Sequence, residues 1–175
     1  FTNYSLGSKT AAFIGFKNFL RLFQDEVFLK SLAITLKYVL ISVPLKLTFA
    51  LLVAYLLTRP SRMVTFYRSL YYLPSLVGGS VAVALVWKQL FARKGLFNSV
   101  LANMDMSTIN WFGNQKLALY PLILMSVWQF GSSMIIFAAG LKEIPVSYYE
   151  AARIDGARGY QSFFRITLPC LSPII

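Results

Sequence analysis

The 175-residue sequence contains no histidine, one cysteine and only six acidic residues. Without histidine there is no His-dependent catalytic triad, no H-E-x-x-H zinc site and no imidazole general base. Cys170, standing alone, closes no intrachain disulfide and builds no cysteine-cluster metal site. No Gly-Lys dipeptide occurs, so there is no Walker A loop and no sign of an ATP site in the chain. With no paired carboxylates either, no residue is assigned a catalytic or metal-binding role, and an enzyme is the least supported class. Charged residues make up 13% of the chain, against about 25% in an average soluble domain. Apolar residues reach 57%, above the usual level of about 45–50%. A net charge of +11 would suit a nucleic-acid-binding protein only if it clustered on one face. Here the cations are dispersed, so no nucleic-acid partner is expected. The composition fits a polytopic membrane protein whose charges lie at the ends of apolar spans.

A membrane helix needs about 20 mostly apolar residues at about 1.5 Å each. Three stretches qualify, over residues 31–57, 70–91 and 117–141. Another apolar run begins near Leu168, giving residues 170–175 as the start of a further span. Buried helices of a soluble protein would show a polar stripe at 3.6-residue spacing. Leu47–Leu57 and Val81–Trp87 show none. The start at Phe1, without a basic leader, and the close at Ser172-Pro173-Ile174-Ile175 inside an apolar run read as an internal piece of a longer chain, truncated at both ends. Asn3-Tyr4-Ser5 matches the N-glycosylation pattern, a tripeptide too common to carry weight.

Pro44, Pro74 and Pro121 lie within the spans, and each removes a backbone donor. Such interruptions survive in a bilayer where neighbouring helices or internal water satisfy the freed carbonyls. Gly78-Gly79-Ser80 and Gly131-Ser132-Ser133 put small residues mid-span, where they favour close helix packing and interhelical hydrogen bonds. Lys46 stands near the middle of the first span. Two readings stay open for it: a charge facing a cavity or partner, or a snorkelling side chain in a slightly shifted span. Lys37 reads as snorkelling near a span end.

Phe16, Phe19, Leu20 and Phe23 follow an i, i+3, i+4, i+7 pattern, with Lys17, Asn18, Arg21, Gln24 and Asp25 on the other face. This describes a short amphipathic helix at a membrane interface. Thr58–Arg68 carries Arg59, Arg62 and Arg68, while Lys88–Lys116 carries Lys88, Arg93, Lys94 and Lys116 against Asp105. The cation count therefore does not orient the chain by the positive-inside rule. Residues 142–169 differ, holding Glu143, Glu150 and Asp155, three of the six acids. Pro145 suits a helix start, Tyr149, Ala152 and Ile154 mark a short helix, and Gly156 suits its stop. A second short helix carries Tyr160, Phe163, Phe164 and Ile166, with Pro169 expected to limit it. The segment reads as a helix–turn–helix protruding from the membrane surface.

Within it, Glu150-Ala151-Ala152, Gly156, Ile166, Leu168 and Pro169 fit the pattern E-A-A-x3-G-x9-I-x-L-P. At ordinary residue frequencies all seven fixed positions coincide by chance at roughly one start in 10⁸. This segment resembles the EAA signature of membrane subunits of bacterial binding-protein-dependent ABC importers. Phe13-Ile-Gly-Phe-Lys-Asn-Phe, Tyr72-Leu-Pro-Ser, Ile109-Asn-Trp-Phe-Gly and Gly140-Leu-Lys-Glu-Ile-Pro resemble the sugar-importer branch, closer to its MalF/UgpA-type subunit than to the MalG/UgpE-type partner.

The resemblance implies an all-α transmembrane bundle of the MetI/MalF-like permease fold, as one permease domain over residues 1–175. It implies a bacterial cytoplasmic-membrane location, with residues 142–169 as a cytoplasmic coupling loop and 1–30 extracytoplasmic. The implied partners are a second permease subunit, an ATPase dimer that binds the ATP, an extracytoplasmic solute-binding protein and membrane lipid. Glu150, Ala151, Ala152, Asp155, Gly156, Ile166, Leu168 and Pro169 would couple to the ATPase. Trp128, Gln129, Ser132 and Ser133, with Lys46, are candidates for a carbohydrate pathway, ordinary helix packing being the competing reading for each. Trp87 reads equally as an interfacial anchor. A channel or secondary transporter accounts for the spans, prolines and Lys46, but not for the EAA spacing.

Overall fold

The computed structural model describes residues 1–2, 12–58 and 63–175. Arg59, Arg62 and the Asn3-Tyr4-Ser5 tripeptide lie outside the described residues. The fold is all-α, with no β-strand among the described residues beyond an isolated bridge between Thr2 and Phe13. The chain divides into two units, residues 1–40 and 41–175.

In the first unit, helix α1 spans Lys17–Gln24 and buries none of its residues. Its aromatic face is open: Phe16 and Phe23 are more than half exposed. Phe1, Phe16 and Phe19 form a ring cluster with centroids 5.2–5.9 Å apart. Helix α2 spans Glu26–Leu56, five residues ahead of the start expected at Ser31. Asp25 sets that start: its Oδ1 accepts the Val27 N–H at 2.8 Å, satisfying one of the orphan donors at a helix beginning. Lys37 therefore lies about three turns into the helix. At 31 residues α2 is about 46 Å long, more than a hydrocarbon core of about 30 Å requires.

The second unit is built on the part of α2 from Ile41 onward, α3 (Val64–Val77), α4 (Val81–Leu90), α5 (Leu96–Asn103), α6 (Leu119–Trp128) and α7 (Gly131–Glu143). Its core pairs the small face of α2 with α7: Ala50, Val53, Ala54 and Leu57 against Phe130, Met134, Phe137 and Ala138. Ala50 and Ala54, one turn apart, are both fully buried in it. Many large apolar residues stay exposed, among them Leu40, Leu52, Leu85 and Ile136. A water-soluble monomer does not carry such an area; lipid or neighbouring helices cover it in a membrane protein.

The second and third expected spans are not single helices. Among the described residues, only α2 is long and apolar enough to cross a membrane by itself; α3 with α4, and α6 with α7, meet that requirement if each bent pair counts as one span. The α3–α4 bend is 99°. Its cause is Ser80, which has extended φ/ψ and accepts the Val83 N–H on its hydroxyl at 3.3 Å. Gly78-Gly79-Ser80 thus ends one helix and caps the next, rather than serving only as small packing residues. The α6–α7 bend is 43°, at Gln129–Phe130. Pro121 falls in the first turn of α6, where a missing donor costs little.

Candidate functional site

Helix α8 covers Val146–Ile154, with Pro145 immediately before it. It ends in a Schellman turn: Ala157 N–H bonds the Ala152 carbonyl at 2.8 Å and Gly156 N–H the Arg153 carbonyl at 3.0 Å. That geometry places the C′ residue in the left-handed region, and Gly156 has φ +75°. The chain returns through α9 (Gly159–Ser162), a π-helical turn (Phe163–Thr167), α10 (Leu168–Leu171) and a 3₁₀ turn (Ser172–Ile174). Gln161 Oε1 accepts the Arg158 N–H at 2.7 Å and fixes the start of α9.

Pro169 does not limit this return helix. Leu168 N–H bonds Phe163 C=O, five residues back. The wider turn displaces the carbonyl that the proline ring would otherwise strike, so helical structure continues to Ile174. Thr167 within the turn is buried, and its hydroxyl meets the Tyr149 hydroxyl at 2.8 Å. This bond ties α8 to the return helix.

The hairpin is anchored to the spans at two places. Phe163 meets Tyr55 of α2 edge-on at 5.4 Å. Gly140 of α7 lies so close to Leu171 and Ile174 that a Cβ there would collide with the Ile174 side chain. Glu150, Ala151, Asp155 and Gly156 are exposed, while Ala152, Ile166 and Leu168 are half-buried and Pro169 is exposed. A concavity of about 380 Å³ opens between the arms, lined by Ala152, Asp155, Gly156, Ala157, Gln161 and Arg165. Ile154, read from sequence as one of the residues that mark α8, is 87% exposed. The residues of the E-A-A-x3-G-x9-I-x-L-P pattern are thereby gathered into one rigid hairpin presenting acidic and apolar groups outward.

Trp128, Gln129, Ser132 and Ser133 all lie at the break between α6 and α7. Trp128 meets Trp87 edge-on at 5.8 Å, and Trp87 stacks on Phe91, so Trp87 belongs to an aromatic cluster. The Gln129 amide donates to the Gly78 carbonyl over 3.4 Å, joining the two breaks. Lys46 is half-buried on α2; no hydrogen bond, ion pair or ring contact among the described residues joins it to that group.

Sequence reasoning missed α5 and its clamp. Asn98 is 1% exposed. Its amide donates to the carbonyls of Ala92 at 3.1 Å and Ile109 at 2.9 Å, and its Oδ1 accepts the Ile109 N–H at 2.9 Å. Phe91 packs on Phe97 at 4.2 Å and on Trp111 at 5.4 Å. The only local signal was one amide inside Leu96-Phe97-Asn98-Ser99-Val100-Leu101, and its partners lie 6 and 11 residues away.

Residues 27–175 match the family described as "Binding-protein-dependent transport system inner membrane component". The chain is 50% identical over 177 residues to a probable ABC transporter permease, YesP, of Bacillus subtilis, covering 100% of this chain and 57% of that protein. It is 36% identical over 167 residues to the sn-glycerol-3-phosphate transport system permease UgpA of Yersinia pseudotuberculosis, covering 94% of this chain and 56% of that one. Among solved structures, it resembles a chain of a bacterial alginate ABC transporter in complex with an alginate-pentasaccharide-bound periplasmic protein. There the TM-score is 0.79 at 26% identity, over 92% of this chain and 57% of that chain. The chain spans little more than half the length of these relatives.

Proposed function

The chain belongs to the family of binding-protein-dependent transport inner membrane components, in its MalF/UgpA-type branch, and on that footing we propose that it is the permease subunit of an ATP-driven importer for a carbohydrate. The observation that carries the reading is the hairpin of α8 and its return through α9, the π-helical turn and α10, along which the fixed positions of the EAA pattern fall. α8, with 9 residues, is about 13 Å long, enough to seat in a cleft of an ATPase subunit. Exposed Glu150 and Asp155 offer charged acceptors to that partner. Motion of the partner is delivered to α8, through Tyr149–Thr167 to the return helix, and then to α2 through Phe163–Tyr55 and to α7 at Gly140. Rocking of these helices exposes the α6–α7 break alternately to the two sides.

In this reading ATP is bound by the partner ATPase dimer, the hairpin faces the cytoplasm of a bacterial cell, and residues 1–30 lie outside. A second permease subunit completes the pathway and an extracytoplasmic binding protein delivers the solute. Trp128, with its aromatic face, and Gln129, Ser132 and Ser133, with hydrogen-bonding groups, suit a sugar. Lys46, half-buried on α2, would face the ligand as a charge if the solute is anionic.

The test is purification of the full-length permease from membranes together with the products of neighbouring genes. An importer retains an ATPase subunit and hydrolyses ATP faster when loaded binding protein is added. A permease that moves solute with no ATPase bound is a channel or secondary transporter, and the proposal fails.

A further inference from the structure

Two breaks that lie far apart in sequence are held together by one hydroxyl. Ser75, on α3, donates its O–H to the Gln129 carbonyl at 3.1 Å and accepts the Ser132 N–H on the same oxygen at 3.1 Å. In an unbroken helix Gln129 C=O would pair with Ser133 N–H, and Ser132 N–H with Trp128 C=O. The Ser75 hydroxyl therefore takes up one acceptor and one donor that the α6–α7 break leaves open. Inside a membrane such groups have no water to turn to.

The neighbourhood admits this contact only because it is small. Gly131 is buried, and a Cβ there would collide with the Tyr71 carbonyl of α3. Phe130, 5% exposed, packs edge-on against Phe49 of α2 at 4.8 Å and at a tilt against Tyr71 at 5.8 Å. On the other side of the joint, the Gln129 amide donates to Gly78 C=O, where α3 ends. The break in α6–α7 is thus bonded to α3 on one side and to the α3–α4 break on the other.

We propose that Ser75 is a positioning residue for the solute pathway: its hydroxyl splices the interrupted α6–α7 span and sets the direction in which Trp128, Gln129 and Ser132 are presented. The assignment rests on the permease reading only for what passes the site; the splice stands on the hydrogen bonds alone. Without the hydroxyl, Ser132 N–H and Gln129 C=O lose their partner and α7 slips against α3. Threonine keeps the hydroxyl on the same side of the helix; alanine does not.

The test uses the full-length permease in its assembled complex in proteoliposomes. Cys170 and every other cysteine of the complex are replaced by Ser, and a reporter is placed by Ser133→Cys. In this background the maleimide-labelling rate at position 133 is measured with Ser75, Ser75→Ala and Ser75→Thr. The loss of one average interhelical hydrogen bond in a membrane corresponds to about a threefold change in an equilibrium. Ser75→Ala should shift the labelling rate by at least that factor, and Ser75→Thr should restore it. An unchanged rate in Ser75→Ala, or equal shifts in both variants, overturns the splice. In the cysteine-free Cys170→Ser complex, ATP hydrolysis stimulated by binding protein is then compared for the same three residues. Loss in alanine with recovery in threonine supports the pathway role. Unchanged stimulation in an alanine variant whose labelling has shifted overturns that role while leaving the importer reading intact. Absence of stimulation in the unmodified complex instead counts against the importer reading.

Discussion

Gly156 has two possible reasons to be glycine, and they order a substitution series differently. It occupies φ +75° at the end of α8, and a Cβ there meets nothing within 4 Å. No clash inside the chain therefore forbids a side chain. If conformation is the reason, an L-residue in the left-handed region costs about 1–2 kcal/mol. Alanine would then lower the closed-to-open ratio of the hairpin by about 5–30-fold. Asparagine, whose short amide tolerates this region, would lose much less, and valine, branched at Cβ, would lose most. If instead a partner's backbone must approach Gly156, the smallest side chain does least harm, and alanine outperforms asparagine. The assay is ATP hydrolysis stimulated by loaded binding protein in proteoliposomes, normalised to the complex recovered. The Schellman geometry predicts the order asparagine, alanine, valine. Alanine retaining more stimulation than asparagine would refute the conformational reasoning and assign the position to partner contact.

Tyr149→Phe removes the 2.8 Å bond to Thr167, a loss of about 1 kcal/mol. Amide exchange in α8 should quicken in this variant and to the same degree in Thr167→Val; unaltered exchange in both would show that the bond does not tie the hairpin. Asn98→Ala strips partners from Ile109 and Ala92, and buried orphaned groups cost about 1–3 kcal/mol. Thermal unfolding of the detergent-solubilised permease should fall by about 2–4 °C for each kcal/mol lost, and an unmoved midpoint rejects the clamp. Lys46→Ala should weaken uptake of an anionic solute while leaving the complex intact; unchanged affinity ends the reading of Lys46 as a ligand-facing charge.

The membrane class, the order of apolar segments and the helical hairpin from α8 were legible in sequence because each is a local signal. Run length reports a span, a proline before an apolar-periodic stretch reports the start of α8, and a glycine after it reports the left-handed turn. The long helix α2 was found in sequence almost to its bounds, with only the Asp25 cap moving its start to Glu26. The broken spans were not found. Gly78-Gly79-Ser80 reads as close packing or as a cap with equal ease, because local composition alone does not say whether the Ser80 hydroxyl faces a neighbouring helix or its own backbone. The π-helical turn was missed for a similar reason. Pro169 signals a stop unless the turn ahead of it widens.

The sequence by itself determined that this protein lives in a membrane, and which seven residues form the E-A-A-x3-G-x9-I-x-L-P pattern. It also determined where the hairpin carrying them must turn, since a positive φ and a helix period are properties of neighbours along the chain. The tertiary structure alone decided that the two breaks form one joint. Ser75 lies 54 residues from Gln129 and 57 from Ser132, and no periodicity reaches that far. Only the packing of α3 on α7, at a glycine too close for a side chain, brings one hydroxyl to the two backbone groups that need it.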